Sequence, residues 1–173
     1  MSIAIIIEDG SIVTNANSFV TIAEARSYAL QRGVELSAID DEVAAQLIKA
    51  SDYLESFAEK YKGEMVSFEQ FLQWPRLGVY LYNSETEFPS NLIPKELKNA
   101  QCAVVLAIAE GVEIMPNYSN ADFVIEETVG PITTKYADPV KTGVLPTLTA
   151  VDALLQPLLV SGLSGFSIRT IRV

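Results

Sequence analysis

The side chains that could do chemistry are few, and their spacing argues against using it. The single cysteine, Cys102, sits in a helical pattern beside Ala103 and Val105, and the chain has no histidine to make it a thiolate. A cysteine in that setting reads as a small buried apolar group. Lack of histidine also removes the commonest general base, the Ser-His and Cys-His pairs, and most zinc sites. Two carboxylate pairs remain, Asp40-Asp41 and Glu126-Glu127. Neighbours on a strand point to opposite faces, so Glu126 and Glu127 cannot readily share an ion. Asp40 and Asp41 open a helix, where capping and the helix dipole already account for them. Neither GxxxxGK[ST] nor GxGxxG occurs, and no CxxC, HExxH or EF-hand spacing is present. These absences predict no catalytic, metal-binding or cofactor-binding residue, no cofactor, and a non-enzymatic role.

A more distinctive stretch is "EQFLQWPRLGVYLY". Pro75 disfavours helical geometry at Trp74, so a short helix over about 67–73 should end there. Arg76 then stands where it can stack on an aromatic face or bridge to carboxylates. Trp74 reads as a plug in a helical core. A second reading makes Trp74, Arg76, Tyr80 and Tyr82 part of a subunit interface, since Trp, Tyr and Arg carry binding energy there.

The elements that must hold these residues are mainly helical. Ile3–Ile7 reads as a short buried strand closed by Glu8-Asp9-Gly10. Thr21 and Glu24 have capping-box spacing and predict a helix over 21–32, stopped by Gly33. Val43, Leu47, Ala50, Leu54 and Phe57 repeat as one apolar stripe, predicting a helix over 40–60 capped by Asp40 or Asp41. Pro94 at a first helical position opens a third helix that runs to Gly111, apolar nearly all round in its second half and therefore central. Residues 123–129 and 132–136 read as strands on either side of Gly130-Pro131. After an extended linker, a short helix begins near 148 with Val151, Leu154 and Leu155 inward, and Pro157 ends it. The expected fold is mainly α: a small helical bundle with a short N-terminal strand, a β-hairpin near 123–136 and an extended C-terminal β arm. It divides into a helical body (1–115), a hairpin and linker (116–146), and a short helix with the arm (147–173).

Charge sharpens that division. The formal net charge is −10; residues 1–140 hold 21 acidic and 9 basic side chains, while 141–173 hold Lys141, Arg169 and Arg172 against Asp152 alone. Binding a phosphate backbone needs clustered cations, and the body has the opposite field. Its aromatics also fall at core-like spacing, which disfavours base stacking. No apolar run approaches the roughly 20 residues that span a bilayer. No signal-peptide pattern and no possible internal disulfide predict a protein made in the cytoplasm.

In order along the chain stand "EDG…ANSFVTIAEARSYALQRG", "LIKASDYLES", the "QFLQWPR.GV" corner, "IPKELKNAQCAVVLA", "VGPITTKYAD" and "DALLQPLL". This ordered set resembles the head–tail connector (adaptor) proteins of tailed bacteriophages, a group also labelled DnaT-like single-stranded DNA-binding proteins. The resemblance implies a structural protein of the virion neck, made in the bacterial host. It would form a ring, twelve-fold like the portal above it, extend the DNA channel, and offer a docking surface to the next neck or tail-completion protein. Genomic DNA would pass through without specific binding, as an acidic channel wall favours. By the same resemblance Gly165, Phe166, Ile168, Arg169, Ile171, Arg172 and Val173 form the portal-binding arm, ordered by strand addition on docking. Val129, Gly130 and Pro131 are then inter-subunit candidates. The alternative is a single-stranded DNA-binding protein of the DnaT-like type.

Overall fold

Local signals start and stop the first helix as the sequence requires. In α1 (Ile22–Leu30) the Thr21 hydroxyl accepts the Glu24 N–H (3.1 Å), and the Glu24 carboxylate accepts the Thr21 N–H (2.7 Å). Burial pushes the Glu24 carboxyl up, but the Thr21 hydrogen bonds outweigh it and hold the group below its ordinary range. Gly33 follows in the left-handed region at φ +75°. The computed structural model describes residues 2–82, 84–115, 126–129, 132–135 and 148–160.

Helix α2 (Asp40–Glu55) starts differently from expectation. Its N-cap is Ile39, and no side chain caps it. Asp40 instead pairs with Arg26 at 2.7 Å, and the Asp41 carboxylate accepts the Ile3 N–H and the Ser2 hydroxyl. Both carboxylates are spent on tying α1 and the N-terminal segment to the helix start. The stripe Val43, Leu47, Ala50 and Leu54 is buried. The helix stops at Glu55 rather than near 60, and a 3₁₀ turn, Ala58–Lys60, carries the chain onward.

Helix α3 (Lys95–Ala109) touches α1, α2 and α4 (Thr149–Leu155), so it is the central element. Pro94 is its N-cap rather than its first residue, and Gly111 ends it at φ +89°. Leu106, Ala107 and Ile108 are only half-buried, so enclosure is deepest from Glu96 to Val105. Val151 and Leu155 of α4, with Leu158 of the following 3₁₀ turn, join the same core; Leu154 is half-buried. No helix among the described residues is long and apolar enough to cross a membrane.

Two antiparallel ribbons complete the described residues. Strand β1 (Glu64–Met65) pairs with β2 (Arg76–Leu77), which the sequence reading missed. Strand β3 (Glu126–Val129) pairs with β4 (Ile132–Lys135) in the predicted hairpin, with Glu126 opposite Lys135 and Val129 opposite Ile132. The 67–73 stretch forms turns instead of a helix.

The predicted N-terminal strand is also absent: Ile3–Ile7 makes one bridge, Ile7 to Ser18, and Ile3 is exposed. Side chains replace a ladder there. Asn17 Oδ1 accepts the Ile6 N–H at 2.9 Å, and its Nδ2 donates to Ala4 O at 3.0 Å. Next in the chain, Glu8 is fully buried and accepts three backbone N–H groups, from Gly10, Ile12 and Val13, at 2.8–3.0 Å. That loop leans on the segment before α3. Gly10 lies at φ +109°, and a Cβ there would sit 2.2 Å from Asn91 O.

Gln101 ties the core together. It is fully buried on α3; its Oε1 accepts the Phe19 N–H (2.9 Å), and its Nε2 faces Ser18 Oγ, Leu47 O and Ser51 Oγ at 2.9–3.0 Å. One amide therefore joins α3, α2 and the segment preceding α1. Such a satisfied polar cluster fixes register, because every alternative packing leaves one of its members unpaired.

Candidate interaction surface

The C-terminal end of α2 anchors the surface. Tyr61 is buried, donates its hydroxyl to Leu54 O (3.0 Å), and meets Trp74 edge-on at 5.8 Å between ring centroids. Burial raises the Tyr61 hydroxyl far above its ordinary value, so it stays a donor. Trp74 is fully buried and precedes a cis bond to Pro75, and its indole N–H has no hydrogen-bond partner among the described residues. Both carboxylate oxygens of Glu55 accept the Gln73 N–H at 3.0 Å. Burial pushes the Glu55 carboxyl up to about 7; the Gln73 N–H and Arg76 oppose the rise, and Asp52 adds to it.

Arg76 is the second anchor. Its Nε donates to Lys62 O (2.9 Å), its Nη2 to Gly63 O (2.8 Å), and its Nη1 to Gln73 O (3.3 Å) and Oε1 (3.1 Å). A planar fork of donors suits that ring of acceptors. The guanidinium lies 5.8 Å over the Tyr61 ring, so the aromatic it meets is Tyr61, not Trp74. Burial lowers its pKa from the ordinary value. These bonds hold β1 against β2. Gly63 permits the crossing, since a Cβ there would lie 2.1 Å from Leu77 O.

What the anchors display is aromatic. Phe68 is fully exposed, and Phe71, Leu77, Tyr80 and Tyr82 are exposed by 40–64%. Every exposed aromatic ring among the described residues falls in this one stretch. Its fringe is acidic, with Glu64, Glu69, Glu85 and Glu87 exposed. Of the nearby cations, Arg76 points inward, Lys62 Nζ donates to Pro157 O (2.9 Å) and Tyr80 O (3.4 Å), and the exposed Lys95 lies 3.9 Å from Glu96. Tyr82, at φ +53°, donates its hydroxyl to Glu96.

The four residues grouped as interface candidates therefore divide. Trp74 and Arg76 are structural; Tyr80 and Tyr82 face outward. The expectation that the body's aromatics sit at core spacing fails for Phe68, Phe71, Tyr80 and Tyr82. Sequence reasoning missed Phe68 and Phe71 because a helix over 67–73 would have turned them inward. The warning signal was their polar company, Ser67, Glu69, Gln70 and Gln73. Val129 lies in the β3–β4 hairpin; Gly130, Pro131 and the arm residues Gly165 to Val173 lie outside the described residues. Cys102 is buried, and desolvation pushes its thiol up to about 12, away from the thiolate form. Among the described residues no three Asp, Glu or Cys side chains gather as metal ligands.

These features define a mainly helical protein whose most distinctive surface is an apolar, acid-fringed patch. Residues 3–173 match the family described as "Putative DnaT-like ssDNA binding protein", and the chain belongs to that family. No curated protein and no solved structure matches it.

Proposed function

We propose that the chain is a structural adaptor of the head–tail junction of a tailed phage, built to bind other polypeptides. The observation that carries the reading is the exposed cluster Phe68, Phe71, Leu77, Tyr80 and Tyr82 on a strongly acidic body. Exposed apolar clusters of this kind mark contact surfaces, and aromatic side chains dominate their energetics. The ordered motifs that resemble connectors supply the partners: copies of the chain in a ring, probed first for twelve-fold symmetry, the portal protein above, and the next neck component below. By that resemblance Gly165 to Val173 reach a partner polypeptide, and the role calls for neither catalysis nor cofactor.

Co-expression with the portal protein of the phage that encodes it tests the reading. Size-exclusion chromatography and electron microscopy are expected to give a co-migrating ring. Separate elution at every concentration counts against it. Truncation after Ser161 with undiminished portal binding removes the C-terminal segment from that contact.

The family description supports a second reading, single-stranded DNA binding. Exposed rings favour it, since bases stack on aromatic faces. Electrostatics oppose it: the rings are fringed by carboxylates, and the adjacent Lys62 and Arg76 are spent on carbonyl oxygens. Anisotropy with a labelled oligothymidylate separates the two. Sub-micromolar binding that weakens with salt establishes DNA binding; the adaptor reading expects none even at low salt.

A further inference from the structure

We propose that the aromatic surface of residues 68–82 receives the C-terminal segment, residues 162–173, of a neighbouring copy of the chain. The inference rests on the adaptor reading for one thing, that copies associate; it names the surface and the segment that join them.

Three observations select this occupant. The first is size. The exposed parts of Phe68, Phe71, Tyr80 and Tyr82 present ~500 Å² of mostly apolar area, taking about 200 Å² per ring. A stable contact between folded bodies buries about 800 Å² on each side. The patch suits a single extended segment better than a whole domain.

Charge complementarity is the second. Glu64, Glu69, Glu85 and Glu87 fringe the patch; of the described cations near it, Arg76 and Lys62 are bonded to carbonyl oxygens and Lys95 pairs with Glu96 at 3.9 Å, so carboxylates outnumber free cations. Residues 153–173 contain no acidic side chain, and they set Arg169 and Arg172 among Phe166, Ile168, Ile171 and Val173. An apolar, cationic segment matches an apolar, anionic patch. Two bodies of strong negative charge repel one another, so a cationic segment is the part of this chain best able to bring copies together.

The third is where the chain leaves the body. Val160 N–H donates to Lys60 O (2.9 Å) and Lys62 N–H to Leu158 O (2.9 Å), so the exit lies beside Lys62, whose ammonium reaches Tyr80 O. After Leu163, the apolar run Phe166 to Val173 begins up to about 20 Å of chain beyond Val160. From that exit a segment of this length can reach the corresponding patch of a neighbouring copy, in a head-to-tail contact that closes into a ring where the rotation allows.

Cysteine trapping in the full chain tests this. Chains carrying Phe71→Cys are mixed with chains carrying Ile168→Cys under mild oxidation. The expected product joins two chains, with residue 71 linked to residue 168 in the digested peptides. Leu30→Cys, exposed at the C-terminal end of α1, is expected to give no link to Ile168→Cys. A double variant, Phe71→Cys with Ile168→Cys, that closes within single dilute chains and gives no two-chain product overturns the assignment to a neighbour. Charge reversal, Arg169→Glu with Arg172→Glu, is expected to weaken self-association at least tenfold at an unchanged melting temperature; unaltered association overturns the proposal. Rings that assemble on the portal without trapping and without response to charge reversal sink this inference and leave the adaptor reading standing. Failure to assemble with copies or portal sinks both.

Discussion

Trp74 and Arg76 stand within eight residues of Tyr80 and Tyr82, yet the two pairs have opposite fates. The first pair is buried and holds the corner together; the second projects from it. The difference lies in what each side chain finds nearby. Arg76 meets three carbonyl oxygens and a side-chain amide oxygen, and Trp74 meets the edge of Tyr61. From Val79 to Tyr82 the chain alternates buried and exposed outside any ribbon. The rings at 80 and 82 therefore turn outward as Val79 and Leu81 turn in. An interface composition, Trp with Tyr and Arg, can thus arise from one rigid scaffold and one displayed surface.

Substitutions can break that contrast. The largest effect is expected for Trp74→Ala, which empties a fully enclosed site and should cost about 3–5 kcal/mol in urea unfolding. Gln101→Leu should follow at about 3 kcal/mol, because the Phe19 N–H and Leu47 O lose their partner inside the core. A smaller effect depends on pH. The folded-state pKa of Glu55 lies above its unfolded value, so the folded chain holds the proton more tightly. Its contribution is complete below the unfolded value near 4.5 and is lost as pH rises through about 7. The melting temperature of Glu55→Gln should fall less than that of the wild type between pH 5 and 8. The smallest effect on stability belongs to the display. Phe68→Ser with Tyr80→Ser should stay within about 0.5 kcal/mol of the parent per site while abolishing association of copies in sedimentation. If these outer substitutions unfold the chain as Trp74→Ala does, the division between scaffold and surface is wrong.

The sequence made some of this legible, for physical reasons. Thr21 with Glu24, Gly33 and Gly111 act within a turn of where they stand, so helix ends could be read locally. The stripe along α2 was equally plain, because burial on one face imposes its period. Other features depend on distant partners. The β1–β2 ribbon is held by an arginine reaching back to Lys62 and Gly63, and no periodicity in two-residue strands announces it. Gln101 sits in line with apolar neighbours, and only the approach of Phe19, Leu47 and Ser51 makes it a hub. Asp40 and Asp41 have the residue types of caps, but Arg26 and the N-terminal backbone claim them first. The aromatic surface was half visible: Tyr80 and Tyr82 were singled out, while Phe68 and Phe71 were assigned to a helix that does not form.

The loop closed by Glu8 has a consequence for how the chain can change over generations. Its glycine faces the carbonyl of Asn91 with no room for a methyl group. Drift at position 10 is therefore vetoed by main-chain atoms about eighty residues away, four residues ahead of α3. Because the clash is with main-chain atoms, no change of side chain at position 91 can relieve it, and the constraint falls on position 10 alone.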